Sequence, residues 1–133
     1  PAGKEGLYVL VPVSDLATAK YDWNDESTIQ YYRQKALESV SHLPGMANIE
    51  NEIISESVIT PLDFRDRFNA YNGACFGLQP SLLQSNHFRP QAKAKNCENL
   101  YFAGSSTHPG AGVPIVLVSG KIAADELKLD DNA

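Results

Sequence analysis

The residues best suited to chemistry lie in the segment 99–127, whose run from Ser105 to Pro114 is small and rich in Gly and Pro. The pattern predicts a buried strand at 100–104, a glycine-rich loop, and a helix that opens at Gly112-Val113-Pro114. The first turn of a helix presents unpaired N–H groups that carry roughly half a positive charge. No acidic residue lies between Ser105 and Lys121 to neutralise that field. We therefore expect this helix end to receive negative charge from a large planar or anionic cofactor.

A glycine-rich loop can also serve only to pack a helix closely on its own sheet, and one such turn is weak evidence for a binding site. The two interpretations differ in the space around the glycines at 104, 110 and 112. A glycine has no side chain to hold a ligand away. A cofactor site therefore needs that space open and the helix end free of the chain's own side chains.

Composition and charge argue against several other kinds of site. The 133 residues carry a net charge of −5, and the eleven Lys and Arg residues are scattered, so no nucleic-acid partner is expected. Cys75 and Cys97 are far apart and have no further ligands at metal-site spacing, which predicts two reduced thiols and no metal. The longest apolar stretch, Val113 to Val118, is much shorter than the ~20 residues that span a bilayer. No GxGxxG dinucleotide-binding pattern occurs.

The periodicity of apolar residues predicts both helices and strands. Helices are expected from Asn24 or Asp25 to Leu43, from Thr60 to about Tyr71, and from about Val113 to Leu129. Strands are expected at Leu7–Val13 (buried inside a sheet), at 100–104, and with weaker alternation at 49–59. The predicted fold class is therefore α+β (α/β), ending in a strand–glycine loop–helix unit. The chain begins without Met and enters a strand within seven residues, which we expect of a piece cut from a longer protein.

The segment NLYFAGSSTHPGAGVP at 99–114 resembles the C-terminal signature of the carotenoid phytoene desaturases and their dehydrosqualene desaturase relatives. Three more segments match the same family in the same order: LYVLVPV at 7–13, TPLDFRDRFNAYNGACFG at 60–77, and LLQSNHFRP at 82–90. The resemblance covers nearly the whole chain.

This resemblance implies a C-terminal part of a two-lobed FAD-binding oxidoreductase similar to the amine oxidases. Residues 1–92 would complete the substrate-binding lobe, and residues 93–133 would be the return segment of the FAD-binding lobe. The half that binds the adenine dinucleotide would lie outside this sequence. The chain alone is then expected neither to bind FAD tightly nor to turn over a substrate.

The resemblance also implies positions around the flavin. Gly104 and Ser105 would lie beside the ribityl and pyrophosphate portion. The pyrimidine edge of the isoalloxazine would face the backbone of Gly112, Val113 and Pro114, with Val116 behind them. The wider amine-oxidase superfamily commonly has an acidic residue where Ser105 stands, so the small residue favours the carotenoid branch.

The polar side chains leave alternatives open. His108 is the candidate catalytic residue beside the ring, although its imidazole could instead bond a loop carbonyl. Asp63, Arg65 and Asp66 could form an ion pair or lie near a substrate mouth. For the loop residues His87 and Arg89 the sequence suggests no role.

The reaction implied is dehydrogenation of a long isoprenoid hydrocarbon of the phytoene or dehydrosqualene type, with a hydride passing to the flavin. Such a substrate lives in a bilayer, so the parent enzyme is expected to be cytoplasmic and peripheral at a membrane surface. Related isomerases, saturases and oxidases share the flavin signature, and a stand-alone, non-enzymatic binding module is a third interpretation. The exposed edge of the strand at 100–104 could also drive self-association.

Overall fold

The computed structural model describes residues 2–132. The chain divides into two compact units, Pro1–Ala74 (unit 1) and Cys75–Ala133 (unit 2). The α-helices are α1 (Glu26–Ser41), α2 (Ile49–Glu52), α3 (Pro61–Phe68) and α4 (Val113–Asp131), with short 3-10 turns at Tyr71–Gly73, Leu82–Gln84 and Asn86–Phe88. The first three helices belong to unit 1, and α4 belongs to unit 2. The predicted helices at 24–43, 60–71 and 113–129 are thus confirmed, each with ends that shift by a few residues.

Helix α1 begins where the sequence places a capping residue. The Asp25 carboxylate accepts a hydrogen bond from the Ser27 amide at 2.9 Å, which satisfies one of the free N–H groups of the first turn. The helix packs through aromatic side chains. Trp23 is 7 % exposed and stacks on Tyr32, with ring centroids 4.9 Å apart. This stack is part of the small core of unit 1.

Helix α3 has a complete capping box at its start. The Thr60 amide donates to the Asp63 carboxylate at 2.8 Å, and the Asp63 amide donates to the Thr60 hydroxyl at 3.4 Å. The hydrogen bonds from Thr60 hold the pKa of Asp63 below its usual range. Asn69, in the left-handed conformation, ends the helix. Local chemistry at both ends therefore sets the length of α3.

Replacing Thr60 with alanine should lower the free energy of unfolding of the chain by about 1 kcal/mol, because the cap is lost. Thr60 is buried, so no water molecule takes the place of the hydroxyl. Thr60→Ser keeps the hydroxyl and serves as the control. Urea unfolding measures both variants, and equal stability of Thr60→Ala and the unmodified chain would contradict the cap.

The predicted α+β (α/β) fold class is wrong. Within residues 2–132 the structure contains helices and turns but no strand or sheet, and the one β-bridge is an isolated antiparallel pair, Lys93 with Tyr101. The weakly alternating segment at 49–59 begins instead with the short helix α2. The predicted strand at 100–104 is reduced to the bridge at Tyr101. Self-association was predicted from the exposed edge of that strand. It stays a prediction, but the residues that the structure describes contain no such strand to support it.

The segment at 7–13 shows why the strand predictions fail. It has the β-branched and aromatic composition of a strand, but its backbone pairs with no other segment of the described residues. Its side chains are not buried either, since Tyr8 is 85 % exposed and Leu10 is 55 % exposed. A strand is stabilised by hydrogen bonds to a neighbouring strand, and composition alone does not supply that neighbour.

Candidate functional site

The amide end of α4 is open. The helix starts after Gly112, no side chain of residues 2–132 caps it, and its first turn contains no acidic residue. The Val116 amide donates to the Gly112 carbonyl at 2.8 Å, which closes the first turn. Val113 is 78 % exposed and Ile115 is 42 % exposed. The positive partial charge of this helix end is therefore accessible from outside the chain, as the sequence predicts.

The loop before α4 uses glycines in conformations that other residues rarely adopt. Gly104, Gly110 and Gly112 have φ angles of 136°, 146° and 106°. A Cβ built on Gly104 would meet no atom within 4 Å, and one built on Gly112 would meet only the Ile115 Cδ1 at 4.0 Å. Tight packing on a sheet therefore does not explain these two glycines. The backbone at Gly104 and Gly112 is therefore open to close approach from outside the chain.

Hydrogen bonds join the two ends of this loop. The Gly104 amide donates to the Ser119 hydroxyl at 2.9 Å, and that hydroxyl donates to the Val116 carbonyl at 2.7 Å. Ser119 is 1 % exposed. The Thr107 hydroxyl donates to the Gly104 carbonyl at 2.9 Å. The structure therefore brings the predicted residues at 104–105 and 112–116 to the first turns of one helix.

Ser119 and Thr107 were missed by the sequence reasoning. The sequence offers one signal for Ser119, namely that it is a small polar residue next to the apolar stretch of α4, three positions after Val116. Its partner at Gly104 lies 15 positions away. No local pattern reveals a contact over that distance.

His108 is held by the segment that precedes the loop. Its amide donates to the Pro90 carbonyl at 2.8 Å, and its Nδ1 lies 3.0 Å from the Asn86 carbonyl. Because a carbonyl only accepts, Nδ1 carries the proton, and in the neutral ring Nε2 is left as an acceptor. This geometry matches the structural alternative for His108. A catalytic role stays a prediction.

The C-terminal half of α4 is bound by the side chains of Lys93 and Tyr101, the two residues of the β-bridge. The Tyr101 hydroxyl donates to the Asp130 carboxylate, and the Lys93 ammonium group donates to the same carboxylate at 2.6 Å. The bond to Asp130 raises the pKa of Tyr101 to about 12. The bonds from Lys93 and Tyr101 lower the pKa of Asp130. This cluster fixes α4 at the end opposite to the open amide groups.

Replacing Asp130 with asparagine should lower the pKa of Tyr101 toward the value of about 10 that is usual for tyrosine. In the unmodified chain the folded-state pKa lies above the unfolded one. The contribution of this bond to folding is therefore full below about pH 10 and is lost as the pH rises through the folded-state value. NMR titration of ring-labelled tyrosine measures the shift, with Asp131→Asn as the control. An unchanged Tyr101 pKa in Asp130→Asn would contradict the bond.

The charged residues singled out in unit 1 are engaged with one another. Arg65 binds Asp66, and both side chains are more than half exposed. Arg67 lies 3.7 Å from Asp63, the capping residue of α3. The arrangement is that of solvated ion pairs. Arg65 also lines a shallow cavity of about 230 Å³ beside Trp23, and a role near a substrate mouth stays a prediction.

The described residues contain neither a metal-binding cluster nor a membrane-spanning helix. Within residues 2–132, no three His, Cys, Asp or Glu side chains come together as a metal site requires. Cys75 and Cys97 are free thiols. In the same range, no helix combines the length and the apolar character needed to cross a bilayer.

Comparison with known proteins shows the family of the chain. Residues 4–128 match the family described as flavin containing amine oxidoreductase. Over 130 residues the chain is 45 % identical to the 4,4'-diapophytoene desaturase (4,4'-diaponeurosporene-forming) of Staphylococcus haemolyticus. Over 131 residues it is 45 % identical to the desaturase of the same name from Staphylococcus aureus strain Newman. Both alignments cover 98 % of this chain and 26 % of the relative, so the chain spans about a quarter of the length of these relatives. The chain belongs to the family of flavin-containing amine oxidoreductases.

Proposed function

We propose that this chain is the flavin-contacting C-terminal quarter of an FAD-dependent desaturase. The observation that carries the proposal is the uncapped amide end of α4 beside open space at Gly104 and Gly112. The 45 % identity to 4,4'-diapophytoene desaturases supports the same reaction class. The substrate would be a long isoprenoid hydrocarbon of the dehydrosqualene or phytoene type.

The residues of the chain would bind and orient the cofactor. When bound, the flavin supplies the acceptor for the hydride removed from the hydrocarbon. Gly104 and Ser105 would leave room for the ribityl and pyrophosphate portion. The backbone at Gly112, Val113 and Pro114, with Val116 behind, would face the ring edge where negative charge develops. A helix end contributes about 0.3–2 kcal/mol to such a charge.

The proposal extends to the whole protein. Residues 1–92 would belong to its substrate-binding lobe and residues 93–133 to its FAD-binding lobe. The exposed apolar run at 7–13 supports this arrangement, because other parts of a longer protein would cover it. A hydrocarbon substrate partitions into lipid, so we also propose that the whole protein docks on the cytoplasmic surface of a membrane.

The test is purification of the whole protein followed by an assay with 4,4'-diapophytoene in lipid vesicles. We expect a bound yellow flavin and a product with a longer conjugated system, seen by its visible absorbance. Phytoene in a parallel assay shows which hydrocarbon is preferred. A protein without flavin, or one that only isomerises or saturates the polyene, would overturn the proposal. The chain alone should show no saturable FAD binding.

A further inference from the structure

A deeply buried arginine lies beneath the glycine loop. Arg89 is 4 % exposed, and its guanidinium group donates to the carbonyl groups of Gln84 at 3.2 Å, Leu78 at 3.3 Å and Ser105 at 2.6 Å. None of these acceptors carries a charge. Among the described residues no carboxylate pairs with Arg89, although burying a charge without a partner is costly. Such a residue is expected to have a role that an apolar side chain could not fill.

The segment at 77–90, which we call the clasp, holds the loop at several points. A Cβ built on Gly77 would lie 3.1 Å from the Ser106 backbone nitrogen and 3.2 Å from the Ser105 carbonyl carbon, so the two backbones are in close contact there. His108 is bonded to the clasp at Asn86 and Pro90. Arg89 makes the shortest of the clasp's hydrogen bonds to the loop, at the Ser105 carbonyl. The clasp therefore contacts the loop at Gly77, Asn86, Arg89 and Pro90.

The side chain of Arg89 also reaches the far part of the loop. A Cβ built on Gly110 would lie 3.9 Å from the Arg89 Cδ and 4.0 Å from its Nε. The Nε atom is buried and has no hydrogen-bond partner in the described residues. Arg89 thus spans the loop from Ser105 to Gly110 and places an unneutralised positive charge behind it. That charge has the same sign as the partial charge of the open end of α4.

We infer that Arg89 is a positioning residue for the flavin-contacting loop, an inference that rests on the proposed function. The planar fork of the guanidinium group fixes Leu78, Gln84 and Ser105 relative to one another. Its charge adds to the field that stabilises negative charge on a bound ring. Lysine offers one nitrogen on a flexible stem and cannot replace this fork.

The experiment compares Arg89→Lys with Arg33→Lys in the whole protein. Arg33 is the control, since its partly exposed guanidinium group also has two partners, Glu56 at 2.8 Å and Glu50 at 3.4 Å in unit 1. The Kd for FAD, the midpoint potential of the bound flavin and the unfolding midpoint are measured for both variants. We expect the Kd to rise roughly tenfold or more in Arg89→Lys, because charge-assisted hydrogen bonds are lost. Lysine keeps the positive charge but not the fork, so the loop and the open helix end should be displaced from the ring and the potential should become more negative in that variant only.

The outcomes separate the two claims. An unmodified whole protein that binds no flavin overturns the proposed function and this inference together. An unmodified protein that binds flavin, with Kd and potential unchanged in Arg89→Lys, overturns this inference and leaves the proposed function standing. A purely structural role would lower the unfolding midpoint without moving the potential at saturating FAD, and that result also overturns the inference.

A second measurement covers the case in which Arg89→Lys does not fold. Hydrogen exchange of the unmodified whole protein is followed by mass spectrometry with and without FAD. If Arg89 couples the loop to the clasp, amide groups at 104–112 and at 84–90 gain protection together when FAD binds. Protection confined to 104–112, with 84–90 unchanged, overturns the inference.

Discussion

Replacing Gly104 with alanine should raise the Kd for FAD in the whole protein by roughly five- to 150-fold, since overpacking a site costs about 1–3 kcal/mol. The added Cβ would enter the open space next to the loop, where we place the cofactor. Gly104 also has a φ of 136°, which strains any other residue. Two effects therefore act at this position, and only one of them concerns the ligand.

Gly45→Ala separates these effects. Gly45 has a φ of 84° and open space around it, and it lies in unit 1, between α1 and α2. Alanine there imposes backbone strain at a position outside the loop at 104–112. We expect both variants to lose some stability in urea unfolding, and only Gly104→Ala to weaken FAD binding. Equal Kd values for the two variants would show that Gly104 does not border the cofactor.

Replacing Val113 with aspartate should change stability and flavin chemistry in opposite directions. A negative charge in the first turn of α4 favours the helix by about 0.3–1 kcal/mol. The same charge repels a reduced flavin that faces the open amide groups. Two unit charges about 4 Å apart interact by about 1–4 kcal/mol at surface-like dielectric constants, which corresponds to roughly 20–90 mV for a two-electron couple. The flavin potential should therefore fall while the protein becomes more stable.

Val113→Asn is the control for this experiment, because asparagine has the size of aspartate without its charge. The side chain of Val113 is largely exposed, so neither variant disturbs a packed core. Potentiometric titration gives the flavin potential, and urea unfolding gives the stability. If both variants shift the potential equally, or if Val113→Asp leaves it unchanged, the helix end does not face the ring.

The helices could be predicted from the sequence because their ends are fixed locally. Asp25 caps α1, the Thr60–Asp63 pair caps α3, and Gly112 precedes α4. Each signal acts within a few residues, so a single sequence contains it in full. The end of α3 was placed too late, since Asn69 adopts the left-handed conformation before the predicted stop at Asn72-Gly73.

The strand predictions failed because a strand depends on pairing with a segment that is distant in sequence. The segment at 7–13 and the segment at 49–59 both contain β-branched residues, yet one is unpaired and the other begins as a helix. In the predicted strand at 100–104, only Tyr101 forms a β-bridge among the described residues, and its partner is Lys93. The apolar composition of a segment indicates which side chains it would bury. It does not indicate which other segment would pair with it.

In the candidate site, too, the local features could be predicted from the sequence and the long-range contacts could not. The glycines at 104 and 112 and the open helix end follow from residue types and spacing, and a hydrogen bond to Ser119 ties Gly104 to α4. The contacts that hold them are long-range, as with Ser119 on Gly104 and Arg89 on Ser105. Arg89 had no role at the level of sequence because its three acceptors are backbone carbonyls, which any residue supplies.

The central claim is that the amide end of α4 faces the electron-rich edge of a flavin. The most direct measurement is an experimental structure of the whole protein with FAD bound and reduced. We expect the pyrimidine edge to lie about 2.7–3.2 Å from a backbone nitrogen in the first turn of α4, after Gly112. A flavin bound elsewhere, with that helix end covered by a side chain of the protein itself, would contradict it.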